Sequence, residues 1–361
     1  MKKTLIILTA LLMLAAFLIS CSGEGIMEYK GYELTEQMYS YWMKSWKNYY
    51  IEKFSDVTDT EEFWQALNIN GVTNEAYITE QIEARIKYYL IAQKLFDDYK
   101  LTLDDETKTG IESDINDQIE HYGSKSEFNE YLDKEYGINI STLRKIYTAE
   151  EKYTAVYSYL YNNTNGIHTS TPDELDAYYH NYYARIKYVM FFKNVKYLYD
   201  DDGKRITDPD TGYYSLADLT EEEKAEVLTK VEEVYNAVSA GGNIDEYMVK
   251  YMNEFEFDLS LYPNGFYISA DDYVSHTADV TSAALEMQIG EVRKLETDDH
   301  YFVIQKLELI DKAYSKSPDS EQFQYLVSYC NNEKFSKEFN EYAKDIKIDE
   351  DLKKKYSLSK I

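Results

Sequence analysis

The chain has 361 residues, an ordinary apolar fraction of 44% and a formal net charge of -28, because 66 acidic residues face 38 lysines and arginines. This composition is typical of a globular protein with two or three domains. The acidic excess excludes nucleic acid as a partner, since binding to phosphates needs clustered basic side chains.

The N-terminus begins with a basic start and an almost unbroken apolar run from Thr4 to Ile19. This run is short for a transmembrane helix and fits the apolar part of a signal peptide. It ends in the letters LISC, which resemble a bacterial lipobox and imply that residues 1–20 are removed and that Cys21 is lipidated. We therefore expect an extracytoplasmic protein, anchored to the lipid bilayer of the bacterial cell membrane through Cys21, with a tether over residues 21–33. An ordinary signal peptide with a chance cysteine is the alternative.

Residues 34–181 have the apolar spacing of long helices. Apolar side chains recur every three to four positions from Ile78 to Phe96, from Ile111 to Ile119, and from Leu143 to Leu160. The first proline of the chain is Pro172, and its absence before that point suits uninterrupted helices. The pattern predicts an N-terminal helical lobe.

Strand and helix patterns alternate in residues 182–312. Segments 184–192 and 265–268 read as strands, and two more strands follow at 291–296 and 301–307. Helical patterns lie between them. This region is predicted to form a small α/β domain with about four strands of antiparallel type.

An acidic, turn-rich segment over residues 195–218 interrupts this domain after its first strand. The spacing of Asp200, Asp202 and Lys204 breaks the alternation of ligands in a calcium-binding loop, and no bidentate glutamate closes the loop. We expect an exposed hairpin or loop here, and we expect neither a metal site nor a cofactor.

The last long helical pattern covers residues 318–348, and residues 349–361 are expected to be a tail. A single terminal helix cannot bury its apolar stripe alone, so we expect it to pack back onto the N-terminal helices. One lobe would then be built from both ends of the chain, and the fold class would be α+β.

Five segments carry a more specific pattern, and it resembles the parvulin family of peptidyl-prolyl isomerases. The whole layout resembles the PrsA/SurA-type extracytoplasmic foldases, in which a helical chaperone lobe flanks a parvulin domain. The resemblance implies a foldase or chaperone that acts on unfolded or proline-containing secreted polypeptides. The matching segments are Ile186–Phe191, Asn243–Met252, Asn264–Tyr267, Ala283–Val292 and Tyr301–Lys306.

The resemblance also implies site residues, with departures from the family pattern. The two core histidines of the family fall on Tyr188 and Phe302, and its acidic position falls near Glu254. These three residues are the implied catalytic positions. His276 and His300 lie off the motif and are interpreted as exposed loop residues. The implied proline pocket consists of Met190, Phe266, Val280, Leu285 and Met287.

Phenylalanine cannot donate a hydrogen bond, so the replacement at position 302 leaves the catalytic activity uncertain. The chain could be an active isomerase or a client-binding holdase without catalysis. The third alternative is an unrelated surface lipoprotein.

Overall fold

The computed structural model describes residues 25–54, 57–68, 71–252, 255, 257–270 and 278–361. The fold is α+β, as predicted, and it divides into two compact units. The first unit contains Met1–Thr169 and Asn331–Ile361, and the second is Ser170–Cys330. Among the described residues, no helix has both the length and the apolar character that a membrane crossing requires.

The elements of the N-terminal part are, in chain order, β1 (Gly25–Tyr29), β2 (Tyr32–Thr35), α1 (Glu36–Lys53), α2 (Glu61–Gln65), α3 (Asn74–Asp98), α4 (Asp105–His121), α5 (Lys125–Tyr136) and α6 (Ile140–Tyr161). The elements that follow are α7 (Pro172–Tyr182), β3 (Tyr183–Phe192), β4 (Val195–Tyr197), β5 (Leu216–Asp218), α8 (Glu221–Ser239), α9 (Ile244–Tyr251), β6 (Phe266–Ser269), α10 (Ala278–Glu286), β7 (Val292–Glu296), β8 (His300–Leu307), α11 (Leu326–Ala343), β9 (Lys347–Ile348) and α12 (Glu350–Lys353).

The long helices of the first unit begin at short polar side chains. Each of these side chains accepts a hydrogen bond from a backbone N–H of the first turn, which would otherwise lack an intrahelical partner. The capping residues of α1, α3, α4, α5 and α6 are Thr35, Thr73, Asp104, Ser124 and Asn139. Local sequence therefore defines where these helices start.

Helix α11 contributes to the core of the first unit. The ring of Phe335 lies 5.4 Å from that of Tyr88 on α3 and 5.1 Å from that of Tyr157 on α6. Phe339 is fully buried, and its ring lies 5.3 Å from that of Tyr88. The N-terminal helices and α11 thus share one hydrophobic core.

The expectation of a tether over residues 21–33 and a tail over 349–361 is wrong for the described parts of both segments. Strand β1 pairs with β2 and also with β9, where Met27 lies opposite Ile348. Met27 is buried, and so is Leu358 near the C-terminus. The pairing joins residues more than three hundred positions apart, which local patterns do not reveal. The helix predicted over 318–348 is also shorter, because α11 begins at Leu326 after a 3-10 helix at Asp319–Phe323.

The second unit is built around a four-stranded antiparallel sheet with the strand order β6-β3-β8-β7. Strands β3 and β8 are central, and their register places Met190 opposite Phe302. Helix α9 packs on one face of β3, where the ring of Phe191 lies 5.2 Å from that of Tyr251. Because side chains alternate along a strand, Tyr188 and Met190 point to the opposite face.

An ion pair fixes α9 to the sheet. Lys187 is 8% exposed, and its Nζ lies 2.6 and 2.8 Å from the two carboxylate oxygens of Asp245 in the first turn of α9. The Asp245 side chain keeps 30% of its surface exposed, so water still solvates one partner of the pair. The pair lies on the face of β3 that α9 covers, and the opposite face is left for other contacts.

The 3-10 helix at Asp319–Phe323 covers the edge strand β6. The side chain of Gln322 accepts from the backbone N–H of Tyr267 at 3.1 Å and donates to the carbonyl of Gly265 at 3.1 Å. The buried Asp319 accepts from the side chains of Asn264 and Tyr267, at 2.9 and 3.1 Å. These bonds pair groups at a sheet edge that would otherwise be open.

Candidate functional site

Tyr188 and Phe302 are neighbours on the two central strands. Their ring centroids lie 5.6 Å apart in an edge-to-face arrangement with an interplanar angle of 71°. On its other side, Tyr188 stacks on Phe266 of β6, with centroids 4.9 Å apart. Three strands therefore contribute one ring each to a single aromatic group.

Two rings from the segment before β6 extend this group. Tyr262 lies 4.8 Å from Phe266, and Phe257 lies 5.9 Å from the same ring. We call these five rings, Tyr188, Phe257, Tyr262, Phe266 and Phe302, the aromatic site. Aromatic pairs with these spacings contribute stability beyond the area that they bury.

Burial controls the chemistry of the aromatic site. Burial, with a smaller contribution from the nearby Tyr262, raises the pKa of Tyr188 to about 12. The phenol is therefore protonated and neutral at physiological pH, and it can donate a hydrogen bond. Phe302, which is 4% exposed, packs against Tyr188 and has no hydrogen-bond donor.

The five residues of the implied proline pocket belong to the core of this unit, but they differ in access. Val280 is 1% exposed and Met287 is 2% exposed, so neither can touch a ligand that stays outside the core. Met190 and Leu285 are partly exposed. Phe266 is buried within the aromatic site. Of the five, Met190 and Leu285 keep accessible surface.

Two other predicted site residues lie outside the described residues. These are Glu254, the implied acidic catalytic position, and Cys21, the implied lipidation site. His276, which was interpreted as an exposed loop residue, also lies outside them.

The interpretation of His300 as an exposed loop residue is wrong. It is the first residue of β8, it is half-buried, and its ring stacks on Phe192 at 5.2 Å. Its ring also lies 5.9 Å from that of Phe302. The signal was present in the sequence, since two residues separated by one position share a face of a strand. His300 thus extends the aromatic site with a titratable group.

His300 is expected to make the second unit less stable in mild acid. Burial lowers its pKa, although Asp299 opposes the shift. The folded state therefore resists protonation, while the unfolded chain takes up a proton near pH ~6.5. The contribution of neutral His300 is complete above that pH and declines as the pH falls below it.

The measurement is urea unfolding, followed by near-ultraviolet circular dichroism of the tyrosines, at pH values on either side of about 6.5. His300→Phe retains a ring on Phe192 and removes the titration, so it should lose less stability on acidification than the parent chain. Equal losses in both proteins would show that His300 titrates as it does in the unfolded chain.

Among the described residues, one group has the spacing of metal ligands. Potential ligand atoms of Asp176, His180 and Asp311 lie within 4.8 Å of one another. His180 and Asp311 are exposed, and Asp176 accepts a hydrogen bond from Tyr314 at 3.3 Å. A solvated surface network accounts for this group, and we assign it no metal.

The second unit is thus a small α/β domain in which one face of an antiparallel sheet carries a group of packed aromatic rings. No family model and no curated protein matches the chain. Solved structures to which it is similar include the foldase protein PrsA from Streptococcus pneumoniae, with 11% identity, 82% of this chain and 99% of that chain covered, and a TM-score of 0.27. PrsA from Bacillus subtilis has 16% identity, coverages of 82% and 93%, and a TM-score of 0.22.

The peptidylprolyl isomerase PrsA from Bacillus cereus has 13% identity, coverages of 82% and 98%, and a TM-score of 0.27. These proteins come from the foldase family that the sequence resembles.

Proposed function

We propose that this chain is a membrane-anchored, extracytoplasmic foldase or chaperone whose second unit is a parvulin-like prolyl isomerase domain with weak or lost catalysis. The observation that carries the proposal is the contact of Tyr188 with Phe302 and Phe266 on one face of the sheet. An aromatic surface of this kind suits apolar and proline-containing segments of unfolded polypeptides. Cys21 would hold the protein at the membrane through its lipid.

Prolyl isomerisation needs no covalent intermediate. Its barrier, roughly 18–20 kcal/mol, comes from amide resonance. A catalyst lowers this barrier by binding the twisted amide more tightly than either planar form. In this chain, the apolar rings would desolvate the amide, and the hydroxyl of Tyr188 would donate a hydrogen bond to it. Phe302 cannot supply a second donor, so we expect a slow isomerase at most.

A client-binding holdase without catalysis is the second candidate, and the lack of a hydrogen-bond donor at Phe302, where the family pattern has a histidine, favours it. The replacement removes part of a polar network and keeps the ring packing around Tyr188. The net charge of -28 suits either candidate, because an acidic surface attracts basic unfolded segments and keeps the protein dispersed.

The experiment measures two activities of the purified chain. One is the cis–trans rate of a proline-containing tetrapeptide, and the other is suppression of aggregation of an unfolded client. Tyr188→Phe removes only the hydroxyl. If this hydroxyl acts on the amide, kcat/KM should fall about tenfold, which is the loss expected for one hydrogen bond made in the transition state, while aggregation is still suppressed.

Parallel variants separate the two candidates. Tyr188→His combined with Phe302→His restores the histidines of the family, and a gain in isomerase rate would favour a site that remains competent for catalysis. Suppressed aggregation with no isomerase rate in any variant favours the holdase. A chain that neither isomerises the peptide nor suppresses aggregation would contradict the proposal and leave the unrelated surface lipoprotein.

A further inference from the structure

Residues 195–218 form an ordered acidic hairpin that the aromatic site does not use. Strands β4 and β5 pair in antiparallel register from Val195 opposite Asp218 to Tyr197 opposite Leu216. The Oδ1 atom of Asp200 accepts from two backbone N–H groups at 2.8 and 3.0 Å, and Oδ1 of Asp208 does the same in the second turn. The strand pairing and these hydrogen bonds therefore hold the segment in one conformation.

The hairpin exposes several large apolar side chains. Tyr213 is 78% exposed, and five others in the same segment are between 37% and 50% exposed. Scattered apolar residues on a surface are normal, but a group of this size in a short segment indicates a contact surface. The six residues are Leu198, Tyr199, Ile206, Tyr213, Tyr214 and Leu216.

A series of ring contacts connects the hairpin to the aromatic site. His300 lies 5.9 Å from Phe302 and stacks on Phe192 at 5.2 Å. The ring of Phe192 lies 5.2 Å from Tyr197 of β4, and Tyr197 lies 5.7 Å from Tyr214. All of these residues belong to the second unit. Ring contacts within one unit therefore link the aromatic site to the hairpin.

The net charge of the hairpin indicates which kind of peptide would fit its surface. Its 24 positions contain six aspartates and three basic residues, a net charge of -3. One of the basic residues, Lys196, pairs with Glu223, and Arg205 lies over the rings of Tyr197 and Tyr214 at 4.5 and 4.8 Å. The remaining exposed charge is mainly acidic. An extended segment with lysine or arginine beside apolar residues matches this surface in both respects.

We propose that the hairpin is a second contact surface for client polypeptides, and that it selects extended segments in which basic and apolar residues alternate. This inference rests on the proposed client-binding function and names the class of client. The hairpin would contact apolar side chains through its tyrosines and leucines and basic side chains through its aspartates. Clients rich in acidic residues would be rejected.

The test uses two labelled peptides, one with alternating lysine and valine and one with alternating glutamate and valine. Fluorescence anisotropy should show that the full chain binds the basic peptide at least about tenfold more tightly than the acidic peptide, and that added salt reduces the difference. Equal affinity for both peptides would overturn the charge selection.

Two hairpin variants locate the contact. Leu198→Ser with Tyr213→Ser should weaken binding of the basic peptide about tenfold, as expected for loss of exposed anchor residues. The matched control, Leu228→Ser with Val249→Ser, removes exposed apolar residues from α8 and α9 and should have no effect. Asp201→Asn, Asp202→Asn and Asp210→Asn together should reduce the preference for the basic peptide. They leave Asp200 and Asp208, which hold the turns, unchanged.

The outcomes separate this inference from the proposed function. If the hairpin variants bind the basic peptide as well as the parent chain and still suppress aggregation, the hairpin proposal is wrong and the chaperone function stands. If the parent chain binds neither peptide and suppresses no aggregation, both are wrong.

Discussion

Replacement of Phe339 with alanine is expected to lower the free energy of unfolding of the first unit by about 3–5 kcal/mol, the usual cost when a buried phenylalanine is truncated. Phe339 is fully buried, and its ring lies 4.2 Å from that of Phe335 and 5.3 Å from that of Tyr88. Its loss leaves a cavity where α11 meets α3. A loss of this size is a large part of the total stability of a typical domain.

Guanidinium unfolding followed by tryptophan fluorescence measures this effect, because Trp42, Trp46 and Trp64 are the three tryptophans of the chain and all lie in the first unit. The matched control is Lys337→Ala on the exposed side of α11, which removes an ion pair with Glu333 worth about 0.5 kcal/mol or less. If Phe339→Ala unfolds at the same guanidinium concentration as this control, α11 does not belong to the core of the first unit.

Replacement of Gly265 with alanine is expected to destabilise β6 by roughly 3 kcal/mol, since strained backbone of this kind and overpacking each cost about 1–3 kcal/mol. Gly265 has a φ of 91°, and an added Cβ would lie 2.4 Å from the carbonyl oxygen of Ile186. The neighbouring Phe266 stacks on Tyr188, so displacement of β6 should also weaken client binding. Hydrogen exchange at Phe266–Ser269 measures the release of the strand.

The variant Gly290→Ala separates the cost of backbone strain from the cost of the steric contact with Ile186. Gly290 has a φ of 83°, but an added Cβ would have no neighbour within 4 Å. This variant should therefore show only the backbone strain of an L-residue at positive φ, about 1–2 kcal/mol, and exchange at β6 should stay slow. Equal losses from both variants would show that the contact with Ile186 is relieved at little cost.

Part of the candidate site was predictable from the sequence. The alternation in 184–192 and 301–307 identified the strands that carry Tyr188 and Phe302, and the structure pairs these strands. His300 was misplaced, although its position two residues before Phe302 assigns it to the same face of β8. The burial of His300 depends on Phe192, which lies on another strand. The residue pattern within β8 cannot predict that contact.

The sequence also could not predict which of the pocket residues are accessible to a ligand. Apolar side chains such as Val280 and Met287 give the same helical periodicity whether they line an open pocket or fill a closed core. The packing of α10 on β3 and β6 buries both residues and leaves Met190 partly exposed. The difference comes from elements that are distant in the sequence.

Local sequence is sufficient to predict the acidic balance of the chain, the long helices of the first unit and the central strands of the second. Those features depend on caps and periodicities that involve residues a few positions apart. The pairing of β1 with β9 and the contact of Gly265 with Ile186 depend instead on how distant segments pack together. Such contacts join segments that could satisfy the same local patterns with other partners, and the lowest free energy of the whole chain selects among them.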